Sequence, residues 1–510
     1  MSKSKLIKST GTIGVATAIS RVLGFVRDIV IAKLFGTAIY AQAFVVAFRI
    51  SNLLRDLVGE GAMNSVFVPV FTDELTKNGR REFLKLAQVV LNIMFWLLLA
   101  AAIAGVLAAP FIVRIIAPGF LMDAEKFQIT VILTRFLFPF LVLVGLWAYA
   151  MGVLNTLGYF AAPAFGPCLL NLSMILCAIW FGENVFGLVA GVLAGGFLQL
   201  IIQLPPLYSS GWSFKITKEF SHPKAGKIGV LLIPRAIGAC VYQVNVFIST
   251  ILASLSSIAG EGAVAAIYYA NRLWQLPLAI FGIALAQAAL PAMSRHVASS
   301  DITKLKDTVL FSVKALFFIL IPSSNGLMML AVPMTKVLFE RGAFTAYSSA
   351  ITSNALFFYA FGLVACGGIK VLVNAFYSMH DTATPAKTAG ASLVLNIALA
   401  LILMRPLKVG GLALATSASA TFNFLALYFL LEKRLGDFGR RSLLDSLLRV
   451  ISASIIMAAV LKFLLIYFVS FNAFILALTV TAGFVSFIAA SYILRVKELR
   501  EGISWITRRR

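Results

Sequence analysis

The chain has 510 residues, 60% hydrophobic and 12% charged, with a formal net charge of +23 and a mean hydropathy of +0.95. Soluble domains carry about 25% charged residues, so an ordinary soluble enzyme is excluded and a polytopic helical membrane protein is indicated. The excess positive charge would suggest nucleic acid in a soluble protein. Here it falls mostly in short loops, where membrane topology explains it, so no nucleic-acid partner is expected.

The N-terminal stretch holds Lys3, Lys5 and Lys8, followed by STGTIGV and Ala16-Thr17-Ala18. The apolar part is too short and polar for a signal-peptide core, and the segment reads as the uncleaved start of helix 1. Fourteen apolar spans are predicted along the chain. In order they cover about 11–35, 38–71, 83–116, 125–154, 160–181, 185–207, 226–256, 262–294, 304–338, 347–378, 384–404, 409–432, 442–469 and 472–495. Glycines and prolines inside helices 1, 2, 7 and 8 predict bends there.

Placing the N-terminus in the cytoplasm puts most loop lysines and arginines on that side, including Lys77, Arg80, Lys215, Lys224, Arg440 and the terminal Arg508–Arg510. The opposite loops hold little beyond Lys126, Arg341, Arg405 and Lys408. The ratio, roughly six to one, requires an even number of spans with both termini cytoplasmic.

The chain also repeats itself. Pro110 returns as Pro333 and Gly119 as Gly342, each pair 223 residues apart. Arg49 is echoed by Arg272, Leu170-Asn171-Leu172 by Leu395-Asn396-Ile397, and Gly187-Leu188 by Gly411-Leu412. The repeat unit is six helices. An even number keeps both copies in one orientation, so two lobes related by an axis along the membrane normal are expected, with a transport cleft between them. The predicted organisation is an N-terminal lobe at 1–210, a C-terminal lobe at 211–436, and helices 13 and 14 with a basic tail at 437–510.

Four cysteines (Cys168, Cys177, Cys240, Cys366) lie scattered in apolar runs, and His222, His296 and His380 sit near helix ends. No CxxC, HExxH or Gly-x4-Gly-Lys-Ser/Thr phosphate loop occurs, so neither a metal site nor a built-in ATP motor is expected, and the chain does not read as an enzyme. The informative residues are charges inside apolar runs. Arg21, Arg27, Arg49, Arg55, Arg235, Arg272, Lys370 and Lys462 face only Asp28, Asp56 and Glu60. A charge at bilayer depth costs at least about 2.5–3.5 kcal/mol. Arg49, Arg135, Arg235 and Lys462 are read as snorkelling or structural. Arg21, Arg27, Arg55 and Arg272 are read as a cationic cavity that awaits an anionic ligand, since the acids are too few to balance them. Arg21 and Asp28 share a helix face. Asn52, Arg55, Asp56 and Glu60 form a polar stripe on helix 2. Arginine suits phosphate through its planar fork. Asp28 either positions Arg27 or Arg55 or meets the ligand itself. Gly187, Gly191 and Gly195 read as a helix-packing ridge. The Pro163 and Pro385 loops read as turns, with His380-Asp381 a possible gate.

The stretches SRVLGFVRD (20–28), NLLRDLVGEGAMNSVFVP (52–69), YYANRLWQLP (268–277) and FYSMHDTATP (376–385) resemble the MurJ/MviN lipid II flippases, within the multidrug/oligosaccharidyl-lipid/polysaccharide exporter superfamily. The resemblance covers essentially the whole chain. It implies an all-α fold of two six-helix lobes plus two C-terminal helices, and alternating-access transfer of lipid-linked peptidoglycan precursor across the bacterial plasma membrane. It also implies head-group binding by Arg21, Arg27, Arg55 and Arg272, with Ser20, Asp28, Asn52 and Glu60 close by, and a groove on helices 13 and 14 for the undecaprenyl tail. No cofactor is implied, the membrane potential being the expected drive. Some members carry an aspartate at about Ser249, so sodium coupling is not expected. Expected partners are lipid II, membrane lipids and peptidoglycan synthases, for a monomeric protein. The rival readings are a flippase for another polyprenyl-linked glycan, such as an O-antigen unit, and a cation-coupled drug exporter.

Overall fold

The computed structural model describes the backbone of residues 3–55, 64–212, 220–468 and 470–500, and the side chains of 11–52, 66–212, 220–231, 243–468 and 470–500. No strand occurs among the described residues. The chain forms two compact units, one of residues 1–255 with 341–344, the other of 256–340 with 345–510.

The first unit holds α1 (Lys3–Phe35), α2 (Ile39–Arg55), α3 (Asn64–Ile116), α4 (Ala124–Leu137), α5 (Phe140–Thr156), α6 (Ala161–Phe181), α7 (Phe186–Ile201), α8 (Leu204–Ser209) and α9 (Ala225–Ser254). Within α3 the backbone turns at Gly79 (φ 79°, ψ −179°), a left-handed conformation that favours glycine. Before this turn, Lys224 ties the α9 approach to α3 through Asp73 at 2.7 Å and Glu74 at 2.6 Å. Those carboxylates hold the Lys224 ammonium above the usual lysine range. Phe67 and Phe71, also before the turn, pack edge to face with Tyr149, and Phe71 does so across the turn with Phe83. The Tyr149 hydroxyl donates to the Ala87 carbonyl at 2.7 Å and accepts from Trp212 Nε1 at 3.1 Å. A buried phenol is thereby satisfied.

α6 and α7 form the closest helix pair of this unit. A Cβ at Gly191 would come within 2.8 Å of Met174 Cα, and one at Gly195 within 2.9 Å of Leu170 Cα. The glycine ridge is therefore a backbone-to-backbone seam. The 3₁₀ turn Pro118–Met122 seats Gly119 against the end of α9, where Gly119 N donates to Ser254 Oγ at 3.1 Å. Residues 341–344 seat Gly342 and Ala343 in the same manner against the end of α1, with Ala343 N donating to Lys33 O at 2.8 Å.

The second unit holds α10 (Ser256–Ala259), α11 (Ala263–Pro277), a π-helical segment (Leu278–Ile283), α12 (Ala284–Ala298), α13 (Ile302–Met329), α14 (Ala331–Phe339), α15 (Ala346–Ala360), α16 (Leu363–Ser378), α17 (Ala383–Leu407), α18 (Val409–Leu435), α19 (Arg440–Tyr467) and α20 (Ala473–Ile493). α13 and α14 bend by 71°, and α15 and α16 by 44°. Pro333 lacks an N–H and its ring blocks the preceding turn, which ends α13. At the second bend, two side chains take up loosened carbonyls. Ser417 Oγ donates to Phe358 O at 2.7 Å, and Ser324 Oγ to Ala360 O at 2.6 Å. Backbone groups at membrane depth must find such partners. α19 and α20 pack on α13 through Val450, Ala453, Met457, Leu461 and Phe487, with Phe318 against them. Their other faces expose Leu448, Ile455, Phe463, Phe484 and Ile493.

Among the described residues, nine helices are long and apolar enough to cross a bilayer, or eleven if each bent pair is one span. These eleven coincide with the sequence's helices 3–6 and 8–14. The remaining three of the expected fourteen are α1, α2 and α9. α1 carries Arg21, Arg27, Asp28 and Lys33, α2 has 17 residues, and α9 is partly outside the described side chains. Bends were expected in helices 1, 2, 7 and 8. The sharp ones lie instead in helices 9 and 10, α1 runs as one helix, and helix 8 carries the π segment after Pro277.

Gly191→Val should destabilise the first unit by about 1–3 kcal/mol, the usual effect of overpacking. Gly226→Ala, with nothing within 4 Å of its Cβ, should not. Thermal unfolding of the purified variants in detergent distinguishes them.

Candidate functional site

α1 presents Ser20, Gly24 and Arg27 to α6, at the four- and three-residue steps that share a helix face. Arg27 is 6% and Asp28 1% exposed. Arg27 Nη2 and Nε donate to Asp28 Oδ1 at 2.8 and 3.0 Å, and Nη1 donates to Asn171 Oδ1 at 2.9 Å. Asn171 Nδ2 donates to Ser20 O at 3.0 Å. One asparagine thus joins the backbone and a buried cation of α1 to α6. A Cβ on Gly24 would sit 3.5 Å from Asn171 Nδ2, in ordinary contact, so Gly24 is not what allows the approach. Of the roles left open for Asp28, the one this geometry displays is partner to Arg27.

Arg21 differs from Arg27. It is exposed and has no hydrogen bond or ion pair among the described residues. The sequence reading places it in the first of the fourteen expected spans, where an isolated charge is expensive. Asn52 is half-buried on α2, and its Oδ1 is buried without a hydrogen-bond partner. Arg55 ends the described part of α2, and its side chain lies outside the described residues, as do Asp56, Glu60 and the side chain of Arg235.

In the second unit, Arg272 is half-buried on α11. Its guanidinium carbon lies 4.9 Å from the ring centre of Tyr268, and Nη2 donates to the Tyr268 hydroxyl at 3.2 Å. Tyr268 is one turn before Arg272, so it holds the guanidinium plane by cation–π contact and a hydrogen bond together.

The other flagged residues take structural positions. Arg49 Nη1 donates to Thr250 Oγ1 of α9 at 2.6 Å. Arg135, Lys370 and Lys462 are exposed. Gln42 Nε2 donates to Thr37 O at 3.1 Å, bracing the α1–α2 turn. Asp381 accepts from Thr384 N at 2.9 Å and Thr384 Oγ1 at 2.8 Å, and pairs with Arg434 at 2.6 Å. These donors keep its carboxyl below the usual carboxylate range. The stabilisation is complete above the ordinary carboxylate pKa and is lost as pH falls through the depressed one. This is an end cap for α17; Pro163 and Pro385, read as loop turns, lie instead in the first turns of α6 and α17.

Glu74, Glu82 and His222 offer ligand atoms within 4.8 Å of one another. Lys224 already places its ammonium 2.6 Å from Glu74, so the group has its cation.

Asn171 and Tyr268 were not singled out as site residues by sequence. Both had a signal. Asn171 recurs as Asn396 in the second repeat, and Tyr268 precedes Arg272 by one turn. Neither spacing says what the side chain touches.

A family model described as "Lipid II flippase MurJ" matches residues 31–482. The chain is 36% identical over 465 residues to a probable lipid II flippase MurJ of Rhizobium meliloti (strain 1021), covering 89% of this chain and 86% of that one. It is 32% identical over 437 residues to a lipid II flippase MurJ of Burkholderia cenocepacia, covering 84% of each. A solved lipid II flippase MurJ in an inward closed conformation superposes with a TM-score of 0.79 at 25% identity, over 94% of this chain and 98% of that one. An inward-facing multidrug-resistance MATE family transporter of the MOP superfamily gives 0.66 at 15% identity, over 84% and 99%, a likeness of fold alone.

Asp28→Ala should leave Arg27 as an uncompensated buried charge, at a cost of about 3–5 kcal/mol. Asn171→Ala should cost about 1–3 kcal/mol. Adding Arg27→Leu to Asp28→Ala should recover much of the loss. The coupling is read from melting temperatures of the single and double variants.

Proposed function

The chain belongs to the lipid II flippase MurJ family, and on that footing we propose how its own residues carry the lipid. It translocates lipid II, the undecaprenyl-diphosphate-linked peptidoglycan precursor, across the bacterial inner membrane by alternating access. The physical problem is a charged, hydrophilic head that must cross hydrocarbon while its tail stays in lipid. Arg21, exposed and without a partner among the described residues, is the observation that carries this reading. A guanidinium in that state on a helix expected to lie in the membrane gains most from a ligand that brings negative charge. Arg272, with its plane fixed by Tyr268, offers the diphosphate a fork in place of its lost hydration. Arg27, held by Asp28 and Asn171, ties α1 to α6, while Arg21 stands exposed about 120° around the same helix. By sequence, Arg55, Asn52 and Glu60 of helix 2 are offered to the same head group, the Arg55 side chain and Glu60 lying outside the described residues.

No bond is made or broken in this transfer, and chemistry by the protein is not part of it. Both termini lie in the cytoplasm, as the loop charges require. An empty cationic carrier is returned by the membrane potential, at about 2.3 kcal/mol per charge per 100 mV. The exposed apolar faces of α19 and α20 offer the undecaprenyl tail a surface as greasy as the bilayer it leaves.

Arg21→Ala and Arg272→Ala should each abolish complementation of a flippase-depleted strain while protein levels stay normal. Lipid II at the outer leaflet, read by its accessibility to an external probe, should fall to the depleted level. Arg272→Lys should rescue little, because a point charge lacks the fork. Full growth of both alanine variants, or loss of surface polysaccharide without loss of peptidoglycan on depletion, would overturn the reading.

A further inference from the structure

A cavity of about 640 Å³ opens in the second unit between the end of α13, α14 and α15, mid-range for small-molecule sites at about 300–1,000 Å³. It belongs to none of the arginines discussed above. Its apolar lining includes Met328, Val332 and Phe357, and its polar lining includes Lys336, Ser349 and Asn354. Ser349 is 3% exposed and its hydroxyl has no hydrogen-bond partner. Lys336 is exposed and has no ion pair among the described residues, with Glu340 one turn further on the chain included.

We propose that this cavity binds one anionic membrane phospholipid of the phosphatidylglycerol kind, its phosphate at Lys336 and an acyl chain entering past Val332 and Phe357. Three observations lead there. First, α14 leaves α13 at 71°. The cavity lies at that break, with Lys336 of α14 and Met328 and Met329 of α13 in its wall. Second, the charge in the lining is a single lysine, with three neutral polar residues, Ser349, Ser353 and Asn354. That suits one phosphodiester rather than a diphosphate bearing a large sugar head. A buried hydroxyl without a partner gains a hydrogen bond from such an oxygen. Third, the apolar walls are open to lipid. Val332 is 51% and Phe357 38% exposed, so a chain can enter sideways without leaving hydrocarbon. Met329, also lining the cavity, packs against the core shared by α19 and α20. The bound lipid would therefore brace that pair.

The test uses the full-length protein, stripped of lipid in detergent and titrated with phosphatidylglycerol or phosphatidylcholine of matched chains, read by native mass spectrometry. The wild type should hold one phosphatidylglycerol at least about fivefold more tightly than phosphatidylcholine, the effect of one basic side chain on an anionic headgroup. Lys336→Gln, at an exposed position, should bring the two lipids to parity. Ala350→Phe, which fills the cavity and keeps the lysine, should weaken both. Equal binding of the two lipids by the wild type, or an unchanged preference in Lys336→Gln, would overturn the proposal. So would displacement of phosphatidylglycerol by equimolar undecaprenyl phosphate, which would give the cavity to the substrate's tail. None of these readings depends on flipping activity.

Discussion

A guanidinium buried away from water must be neutralised and fully hydrogen-bonded, and the architecture around α1 answers to that requirement. Arg27 finds its counter-charge in the adjacent Asp28 and its second acceptor in Asn171 of α6. The same asparagine also grips the Ser20 carbonyl. Satisfying one cation thereby fixes how α1 lies on α6. The glycine seam between α6 and α7 carries that placement into the rest of the first unit. A buried ion pair of this kind adds little net stability. Its effect here is to make one docking of α1 far better than its neighbours.

That accounting separates arginines which look alike on paper. Arg27 is neutralised within the protein, and Arg49 is turned toward Thr250. Arg272 is oriented by an aromatic ring that supplies no full charge. Arg21 has neither among the described residues. On α1, therefore, the positive charge without an internal counterpart is that of Arg21, not of the motif as a whole.

Much of this was legible in the residues. Eleven spans came from apolar runs alone, because hydropathy over a bilayer's thickness is a strong signal. The glycine ridge was legible because small residues at four-residue steps have one common use. The 71° break was not foreseen. Pro333 is an ordinary early-helix proline until the partner helices show that α14 cannot continue α13. The pairing of Arg27 with Asp28 was one of the roles the residues left open for Asp28, and only the structure selects it. Adjacent residues on a helix do not normally face each other, and here a long side chain folds back along the helix to meet its neighbour. Asn171 looked like filler because its value depends on two partners roughly 150 positions upstream in the chain.

The seats made by Gly119 and Gly342 have a bearing on ancestry. Each loop rests on the closing turn of the helix that begins the opposite repeat, Gly119 on Ser254 and Gly342 on Lys33. The joint is an exchange, and neither repeat supplies both halves of its own. A half-length forebear would have had a socket and a plug that did not fit within one molecule. It could have been sealed only as a pair, and fusion of two copies would then have preserved a partnership that already existed.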